Sequence, residues 1–270
     1  MKAPAVFFLS DFGADSVYLC ACRALFIRIS PNIPLIDITH SIPPYNITAA
    51  SLILEDIAPY FPPHSVIVAV VDPTVGSNRR IIAVKNQTLT FIAPDNGLLS
   101  PFLDNATVFS VTNTSLFNQT VSSTFHARDI MVPVAAHIAS GMPLKTVGAP
   151  ITDAVRIAIP KPSIKKGKIK GEVISADRFG NLITNIKEEN IIKAFKTNDL
   201  KKLSEEVRIY IGMNRIEKFF RCYADAPLAQ PFGTIGSFGR LEISVREGSA
   251  QEALKAEPGT SVTLFSLRKQ

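Results

Sequence analysis

The sequence contains no tryptophan, only three cysteines and no long uninterrupted apolar run. Three cysteines provide no fully paired disulfide framework, which favours a reducing compartment, the cytoplasm. No stretch reaches the ~18 uncharged apolar residues that a membrane-spanning helix needs. Residues 1–13 also lack the apolar core and the cleavage site of a signal peptide. We therefore expect a cytoplasmic protein that has no membrane partner.

The charge is moderately basic, with a formal net charge of +6. Many of the lysines are clustered in the run SIKKGKIK at residues 163–170, and no stripe of lysine or arginine alternates with aromatic residues. A surface that binds a nucleic-acid strand requires that alternation. We therefore expect no nucleic-acid partner, and the apolar fraction of 46% indicates an ordinary globular protein.

In the first half of the chain, short apolar runs alternate with helical segments. Helices are predicted after Ser16, from about Asn46, and after Asp129, which we expect to act as a cap. Strand, helix, strand is the pattern of an α/β domain with a mainly parallel sheet. The predicted strands are residues 6–9, 35–38, 66–71, 81–84 and 89–93.

The second half of the chain has a different pattern. Residues 156–168 combine prolines with lysines, which is typical of a linker. After it come short alternating segments separated by turn residues, which predict a C-terminal all-β, barrel-like domain. We therefore predict an N-terminal domain at 1–155, a linker at 156–168 and a C-terminal domain at 169–270. The C-terminal strands are predicted at residues 172–175, 181–186, 207–211, 241–245 and 261–264.

Polar side chains follow several of the predicted parallel strands. Because ligands bind beyond the carboxyl ends of such strands, Asp11, Asp72 and Asn96 are candidate site residues. Arg79 ends a glycine-containing loop that can turn back towards Asp72, and His126 is one of only four histidines. The residues alone do not distinguish a catalytic role from a structural one: Asp72 and Arg79 also suit a structural ion pair, and His126 also suits a structural histidine. They also leave open a turn role for Asn96.

Eight motifs in order resemble the S-adenosyl-L-methionine (SAM) hydrolase family, also called SAM hydroxide adenosyltransferases, which are related to SAM-dependent fluorinating and chlorinating enzymes. The resemblance covers about residues 5–265. The motifs are SDFG (10–13), DITHSIPP (37–44), VVDPTVGSNRR (70–80), APDNGLLS (93–100), TFHARDI (124–130), DRFGNLITNI (177–186), YADAP (223–227) and IGSFGRLEISV (235–245).

The resemblance implies hydrolysis of SAM to adenosine and L-methionine, by attack of water at the ribose C5′ carbon. The leaving thioether is neutral and needs no general acid, but water must be placed in line and must lose a proton. The family's catalytic set falls on Asp72, Arg79 and His126. Asp72 and His126 would bind the water and accept its proton, while Arg79 orients Asp72. The resemblance also implies no cofactor or metal, and a homotrimer with active sites between subunits.

The resemblance assigns the substrate-binding residues one by one. Asp11 matches an aspartate that accepts both ribose hydroxyls, and Tyr45 falls where the halogenating relatives have an aromatic residue near the ribose. Asp177 matches the partner of the methionine ammonium. The remaining matches are Phe179, stacking on adenine, Asn181, hydrogen-bonding adenine, and Ser237, contacting the methionine carboxylate.

Three positions depart from the family pattern. Thr74 and Ala127 stand where glycine is usual, and Arg246 stands where asparagine is usual. If position 74 needs a positive φ, the loop from Asp72 to Arg79 must differ from that of its relatives. Ala127 adds a methyl group beside His126, and Arg246 alters the expected surroundings of the adenine.

Three other functions stay open at this point. One is halide transfer from SAM, although a halide site requires no base. Another is a SAM or nucleoside sensor that binds without turnover. The third is a metal-dependent hydrolase that uses Asp11, Asp37 and His40, although these residues lack a tight ligand motif.

Overall fold

The structure is a computed structural model that describes residues 3–267, with the exception of the side chain of Leu200. The chain separates into two compact units, Met1–Ile159 and Pro160–Gln270. The predicted domain ends at residues 1–2 and 268–270 lie outside the described residues. Within residues 3–267, no helix is both long and apolar enough to cross a lipid bilayer.

The described part of the N-terminal unit contains one seven-stranded sheet, in the order β2-β1-β3-β5-β4-β6-β7. Strands β2, β1, β3 and β5 are parallel neighbours, and β4, β6 and β7 extend the sheet in antiparallel pairs. The mainly parallel α/β prediction is confirmed. The strands are β1 (Val6–Ser10), β2 (Leu35–Thr39), β3 (Val66–Val70), β4 (Ile81–Lys85), β5 (Thr90–Pro94), β6 (Thr107–Ser110) and β7 (Pro150–Ile151).

Helices cover both faces of this sheet. The helices α1 (Val17–Ile29) and α3 (Val132–Ala139) share one apolar core with the sheet, and α2 (Ile47–Ile57) packs in a second core on the opposite face. Every residue of β3 is buried, as expected for a central strand covered on both sides. The side chains of Ser16 and Asn46 cap α1 and α2 by accepting backbone N–H groups.

The start of α3 differs from the prediction. Residues Ala127–Met131 form a π-helical turn before the α-helix, and Asp129 lies inside that turn. The expectation that Asp129 caps the helix was therefore wrong. Its carboxylate is fully buried and accepts hydrogen bonds from Arg128, Asn118 and the backbone N–H of Ser122. Asp129 thus anchors the preceding loop instead of the helix terminus.

The described part of the C-terminal unit contains an eight-stranded sheet, with the path β12-β11-β15-β9-β10-β14-β13 and β8 beside β9. All strand pairings in it are antiparallel, and a bridge between Phe219 and Gly233 brings the chain after β12 against β13. The barrel-like prediction is confirmed. The strands are β8 (Ser163–Lys165), β9 (Lys168–Ala176), β10 (Leu182–Lys187), β11 (Val207–Ile211), β12 (Asn214–Ile216), β13 (Pro231–Ile235), β14 (Arg240–Val245) and β15 (Ser261–Ser266).

The C-terminal unit also contains elements that the sequence pattern did not predict. Up to residue 267, three short α-helices interrupt the strands: α4 (Glu188–Phe195), α5 (Leu200–Glu206) and α6 (Ala250–Leu254). Part of the predicted linker at 156–168 forms β8 and the first residue of β9. Ile164 packs against the apolar core of this unit, which gives that segment a reason to be ordered.

Candidate active site

Two aspartates lie at the same edge of the N-terminal sheet. Asp11 directly follows β1, and Asp72 comes two residues after the end of β3. Because β1 and β3 are parallel neighbours, their carboxyl ends meet at one edge of the sheet. Asn96 follows β5 at the same edge, and its side-chain amide donates to the carbonyl of Val71 at 2.8 Å. Asn96 therefore supports the backbone that carries Asp72.

The loop from Asp72 to Arg79 turns back on itself, as the spacing predicted. Gly76 has a φ of +84°, and a Cβ at this position would collide with the backbone oxygen of Ser123. Only glycine satisfies both conditions. Thr74 is absent from the described non-glycine residues that have a positive φ. A threonine therefore fits this loop without backbone strain.

Arg79 joins Asp72 to His126. Its Nε donates to both carboxylate oxygens of Asp72, at 3.0 and 2.9 Å, and its Nη2 lies 2.9 Å from Nδ1 of His126. The side chains of Arg79 and Asp72 are only 8% and 5% exposed. The structure thus brings the three residues together into one hydrogen-bonded chain of carboxylate, guanidinium and imidazole.

The hydrogen bond from Arg79 determines the state of His126. A guanidinium has only donors, so Nδ1 of His126 must be an unprotonated acceptor, and the hydrogen of the neutral ring lies on Nε2. Burial, followed by the positive charge of Arg79, lowers the pKa of His126 below 6.5, against the opposing effects of Asp72 and Asp129. His126 is therefore a neutral imidazole whose Nε2–H is left to donate.

His126 is held at the N-terminal end of the π-helical turn. A π-helical turn is rare and is frequently found at functional sites. The next residue, Ala127, is 3% exposed and belongs to the apolar core, so its additional methyl group is accommodated by packing. Burial raises the pKa of Asp129, but hydrogen bonds from Arg128, Ser122 and Asn118 outweigh it, so the pKa is lowered. The ionised, buried carboxylate of Asp129 thus stabilises the turn next to His126.

Asp11 and Tyr45 are also brought together. The backbone N–H of Tyr45 donates to Oδ2 of Asp11 at 2.9 Å. Tyr45 has a φ of 65°, which is unusual for a residue with a side chain, and its side chain is exposed. The carboxylate of Asp11 keeps its other lone pairs available, because one backbone donor uses only one of about four.

In the C-terminal unit, Asp177, Phe179 and Asn181 form the turn between β9 and β10. Oδ1 of Asp177 accepts the backbone N–H groups of Phe179 and Asn181, both at 2.9 Å, and Oδ2 accepts the side-chain amide of Asn181 at 2.8 Å. Asn181 is buried, whereas Phe179 is 76% exposed at the tip. Asp177 and Asn181 thus hold the turn that presents the ring of Phe179.

Ser237 and Arg246 lie on the same hairpin, β13 and β14. Ser237 is exposed in the turn between the two strands. The guanidinium of Arg246 donates to the carbonyl oxygens of Ala224 and Ala226, at 3.1 and 3.2 Å. The arginine that departs from the family pattern therefore supports the YADAP segment.

A further polar cluster near Asp177 was missed in the sequence. Tyr223 donates to Glu242 at 3.0 Å; burial, then the neighbouring carboxylate, raises the pKa of Tyr223 to about 12. Burial also raises the pKa of Glu242, and the negative charge of Asp177 acts in the same direction. Both residues lie in quoted motifs, YADAP and IGSFGRLEISV, but no local signal joins them, since 19 residues separate them.

The residues considered for a metal site do not form one. Asp37 and His40 lie beside each other, and each is already engaged, Asp37 by Arg23 and His40 by Ser10. Within residues 3–267, no group of three or more His, Cys, Asp and Glu side chains is arranged to hold a metal ion.

An α/β unit with a polar chain at the carboxyl edge of its parallel strands, followed by a barrel-like β unit, is an enzyme-like architecture. Residues 6–148 match the SAM hydroxide adenosyltransferase N-terminal domain, and residues 171–263 match the corresponding C-terminal domain. The chain belongs to the SAM hydroxide adenosyltransferase family.

Individual relatives agree with this assignment. The (R)-S-adenosyl-L-methionine hydrolase of Thermus thermophilus is 32% identical, over 96% of this chain and 99% of the relative. That of Salinispora arenicola is 31% identical, over 96% of both chains. A fluorinase of Actinoplanes is 26% identical, over 87% of this chain and 85% of its own length. A crystal structure of a conserved Thermotoga maritima protein has a TM-score of 0.90 and 33% identity, covering 96% of this chain and 99% of that chain.

Proposed function

We propose that this protein hydrolyses SAM to adenosine and L-methionine, with an activated water or hydroxide attacking the ribose C5′ carbon. The observation that carries the proposal is the hydrogen-bonded chain of Asp72, Arg79 and His126. Three full-length relatives with the name (R)-S-adenosyl-L-methionine hydrolase, from Thermus and two Salinispora species, support the same reaction. The positive sulfonium becomes a neutral thioether, and one proton is released.

The neutral state of His126 changes the role expected for it. Because Nδ1 accepts from Arg79, only the Nε2–H is available to a water molecule. We therefore assign His126 the role of a donor that fixes the attacking oxygen, in place of the expected role of proton acceptor. The in-line placement of the nucleophile is the main requirement of this reaction.

Asp72 is then the member of the set that accepts the proton. Oδ2 accepts from both Nε and Nη2 of Arg79, whereas Oδ1 accepts from Nε and has only a long 3.4 Å contact from the Thr74 hydroxyl, so Oδ1 is the oxygen that can take the proton. As the bond to C5′ forms, the attacking oxygen becomes strongly acidic, so a carboxylate is a sufficient base. The positive charge of Arg79 stabilises the hydroxide character that develops on that oxygen.

We propose that the substrate is held by the residues that the resemblance assigned. Asp11 would bind the ribose hydroxyls beside Tyr45, and Phe179 would stack on the adenine. Asp177, Asn181 and Ser237 would face the remaining polar groups. The exposed rings of Tyr45 and Phe179, at 71% and 76%, favour such contacts, since exposed aromatic side chains gain most from being covered.

A homotrimer with active sites between subunits is part of the proposal. Val17 and Ile27 on α1 are 77% and 59% exposed, and Ile36 on the edge strand β2 is 44% exposed, so the N-terminal unit has exposed apolar side chains that a subunit contact would bury. Mixing His126→Ala and Phe179→Ala chains tests the arrangement after subunit exchange. Activity recovered in the mixture supports shared sites, whereas activity equal to the sum of the separate variants contradicts them.

The proposed reaction is tested by separating the products that purified protein forms from SAM alone, in water enriched in ¹⁸O. We expect adenosine and methionine in equal amounts, with the label in the 5′-hydroxyl of adenosine. Formation of 5′-chloro-5′-deoxyadenosine in chloride would indicate halide transfer, and binding without turnover would indicate a sensor. We also propose that no metal or other cofactor is needed, so the rate in EDTA should be unchanged.

A further inference from the structure

His40 and Ser10 form a buried polar pair that the proposed reaction does not use. Ser10 is the last residue of β1 and is fully buried, and His40 follows β2 and is 5% exposed. The two strands are parallel neighbours, so both residues lie at the edge that carries Asp11. Nδ1 of His40 lies 2.7 Å from Oγ of Ser10.

The other side of the imidazole faces an ion pair. Nε2 of His40 lies 3.1 Å from Oδ1 of Asp37, whose other oxygen contacts Arg23. Burial raises the pKa of Asp37, but its contacts with Arg23 and His40 outweigh this and lower it. Asp37 is thus ionised. Nε2 of His40 lies beside it without hydrogen-bond geometry, and a hydrogen on Nε2 is the arrangement that keeps a ring lone pair from facing the carboxylate.

The directions of the remaining hydrogen bonds follow from that tautomer. Burial is the largest influence on His40 and lowers its pKa, so the ring is neutral and Nδ1 is an acceptor. The hydroxyl of Ser10 therefore donates to Nδ1. The oxygen of Ser10 is left to accept the backbone N–H of Phe12, at 3.3 Å.

The order serine, histidine, aspartate is that of a hydrolytic triad, but burial excludes a nucleophilic role for the serine. Ser10 has 0% exposure, and its oxygen lies under the chain that follows β1. A nucleophile must reach its substrate to within van der Waals distance. The hydroxyl of Ser10 instead links the ring of His40 to the backbone N–H of Phe12, which indicates that it shapes the adjacent loop.

That loop, residues 10–13, carries Asp11 and is held by His40 at two points. The ring of His40 orients Ser10, and the carbonyl of His40 accepts the backbone N–H of Gly13 at 2.8 Å. The chain after His40 returns to Asp11 through the backbone N–H of Tyr45. His40 therefore lies where the loops after β1 and β2 meet; the first loop carries Asp11, and the second donates to its carboxylate through Tyr45.

We propose that His40 is a positioning residue for the nucleoside end of the substrate, acting through Ser10 to fix the loop that presents Asp11. This inference rests on the proposed function, because it takes Asp11 as the ribose ligand. His40 itself touches no substrate. Its loss is expected to weaken recognition of the ribose and to leave the chemistry of Asp72, Arg79 and His126 in place.

Two substitutions of His40 test the roles of its two ring nitrogens separately. His40→Asn places an amide oxygen near the position of Nδ1 and retains an acceptor for Ser10, whereas His40→Gln places a donor near Nε2 and retains the contact with Asp37. Asp37 is 33% exposed and has Arg23, so water can replace the lost donor. Ser10 is fully buried, and no water can replace its lost acceptor.

We therefore expect His40→Gln and Ser10→Ala to raise KM for SAM and Kd for adenosine about tenfold, the effect of one lost hydrogen bond. His40→Asn is expected to stay within about threefold of the wild type, and kcat within about twofold for all three variants. His64→Asn is the matched control, since His64 is exposed, has a φ of 70° and lies outside this network. Circular dichroism establishes that each variant is folded.

A second readout is the nitrogen NMR spectrum of wild-type protein at neutral pH, with the His40 signals assigned by comparison with His40→Asn. A neutral ring with hydrogen on Nε2 is expected. The proposal is overturned by the opposite tautomer, by equal effects of Asn and Gln, or by loss of kcat with KM unchanged. If the wild type forms no adenosine, the proposed function fails, and the adenosine titration still tests the role of His40.

Discussion

The proposed catalytic residues and the proposed adenine-binding residues are built in opposite ways. Asp72 and Arg79 are almost fully buried and bonded to each other, and His126 completes the chain within the N-terminal unit. In the C-terminal unit, the turn of Asp177 and Asn181 uses its polar groups internally and leaves the ring of Phe179 in solvent. The catalytic residues are thus held in place by one another within the chain. The ring of Phe179, by contrast, needs a partner such as a bound base to cover it.

The largest effect on turnover is expected for a substitution among the catalytic residues Asp72, Arg79 and His126. Asp72→Asn removes the base and leaves Arg79 without its counter-ion, so kcat is expected to fall by about 10²–10⁴-fold. Binding of SAM, measured by calorimetry, is expected to change by less than about fivefold. His126→Gln provides the matched comparison, because its amide N–H replaces the Nε2–H and should retain more activity than His126→Ala. Equal losses of binding and turnover would contradict the assigned roles.

A change at Asp11 is expected to affect binding more than chemistry. Asp11→Ala removes a charged acceptor of two ribose hydroxyls, each worth ~1.5 kcal/mol or more, so Kd for adenosine should rise about 10²-fold. Binding of methionine alone should not respond. A fall in kcat at saturating SAM, with Kd unchanged, is the result that would remove Asp11 from the ribose site.

Substitution of the exposed Phe179 should reduce affinity less than substitution of Asp11. Phe179→Ala is expected to raise KM for SAM about tenfold, since stacking on a base contributes ~1–3 kcal/mol. Phe179→Tyr retains the stacking face and serves as the control. Because the ring is exposed, the free energy of unfolding should be nearly unchanged, which chemical denaturation measures.

The pH dependence should also distinguish the proposed catalytic residues from the residues that bind adenosine. Burial and then the positive charge of Arg79 lower the pKa of His126, which favours the neutral ring that accepts from Arg79. As the pH falls through that lowered pKa, protonation of Nδ1 places two donors face to face. We expect kcat to fall about tenfold per pH unit below it, with adenosine affinity unaffected. An increase in kcat as the pH falls, in protein that remains folded, would refute a neutral His126 as the active form.

The smallest effect is expected for Thr74→Gly, which restores the residue usual in the family. Thr74 has no positive φ to relieve, so kcat and KM should change by less than about threefold. The free energy of unfolding should fall by up to ~1 kcal/mol, because glycine increases the entropy of the unfolded chain. Increased stability in thermal melts would show that the threonine is strained after all.

The N-terminal fold and part of the site could be predicted from local patterns. The apolar run at residues 6–9 became β1 (Val6–Ser10), and the run at 66–71 became β3 (Val66–Val70). Strand ends then placed Asp11 and Asp72 at one edge, and the glycine of the loop allowed Arg79 to return. These inferences work because each depends on neighbours in sequence.

The other features depend on contacts that no local pattern contains. His126 lies 47 residues from Arg79, and only the resemblance joined them before the structure did. The π-helical turn and the buried role of Asp129 follow from tertiary packing. The sequence of α4 does contain a local signal, with two acidic residues in its first turn and the apolar Ile191 and Ala194 on one face, but this helix is only eight residues long and lies among strands.

The contact between Gly76 and Ser123 affects how this site can change in a mutant library. It is a backbone approach with no room for a side chain, and it joins the segment bearing Asp72 and Arg79 to the segment leading into His126. Side chains around the site can be exchanged without altering this backbone contact, as Thr74 and Ala127 illustrate. In a randomised library selected for turnover, position 76 should remain glycine, while position 74 accepts many residues.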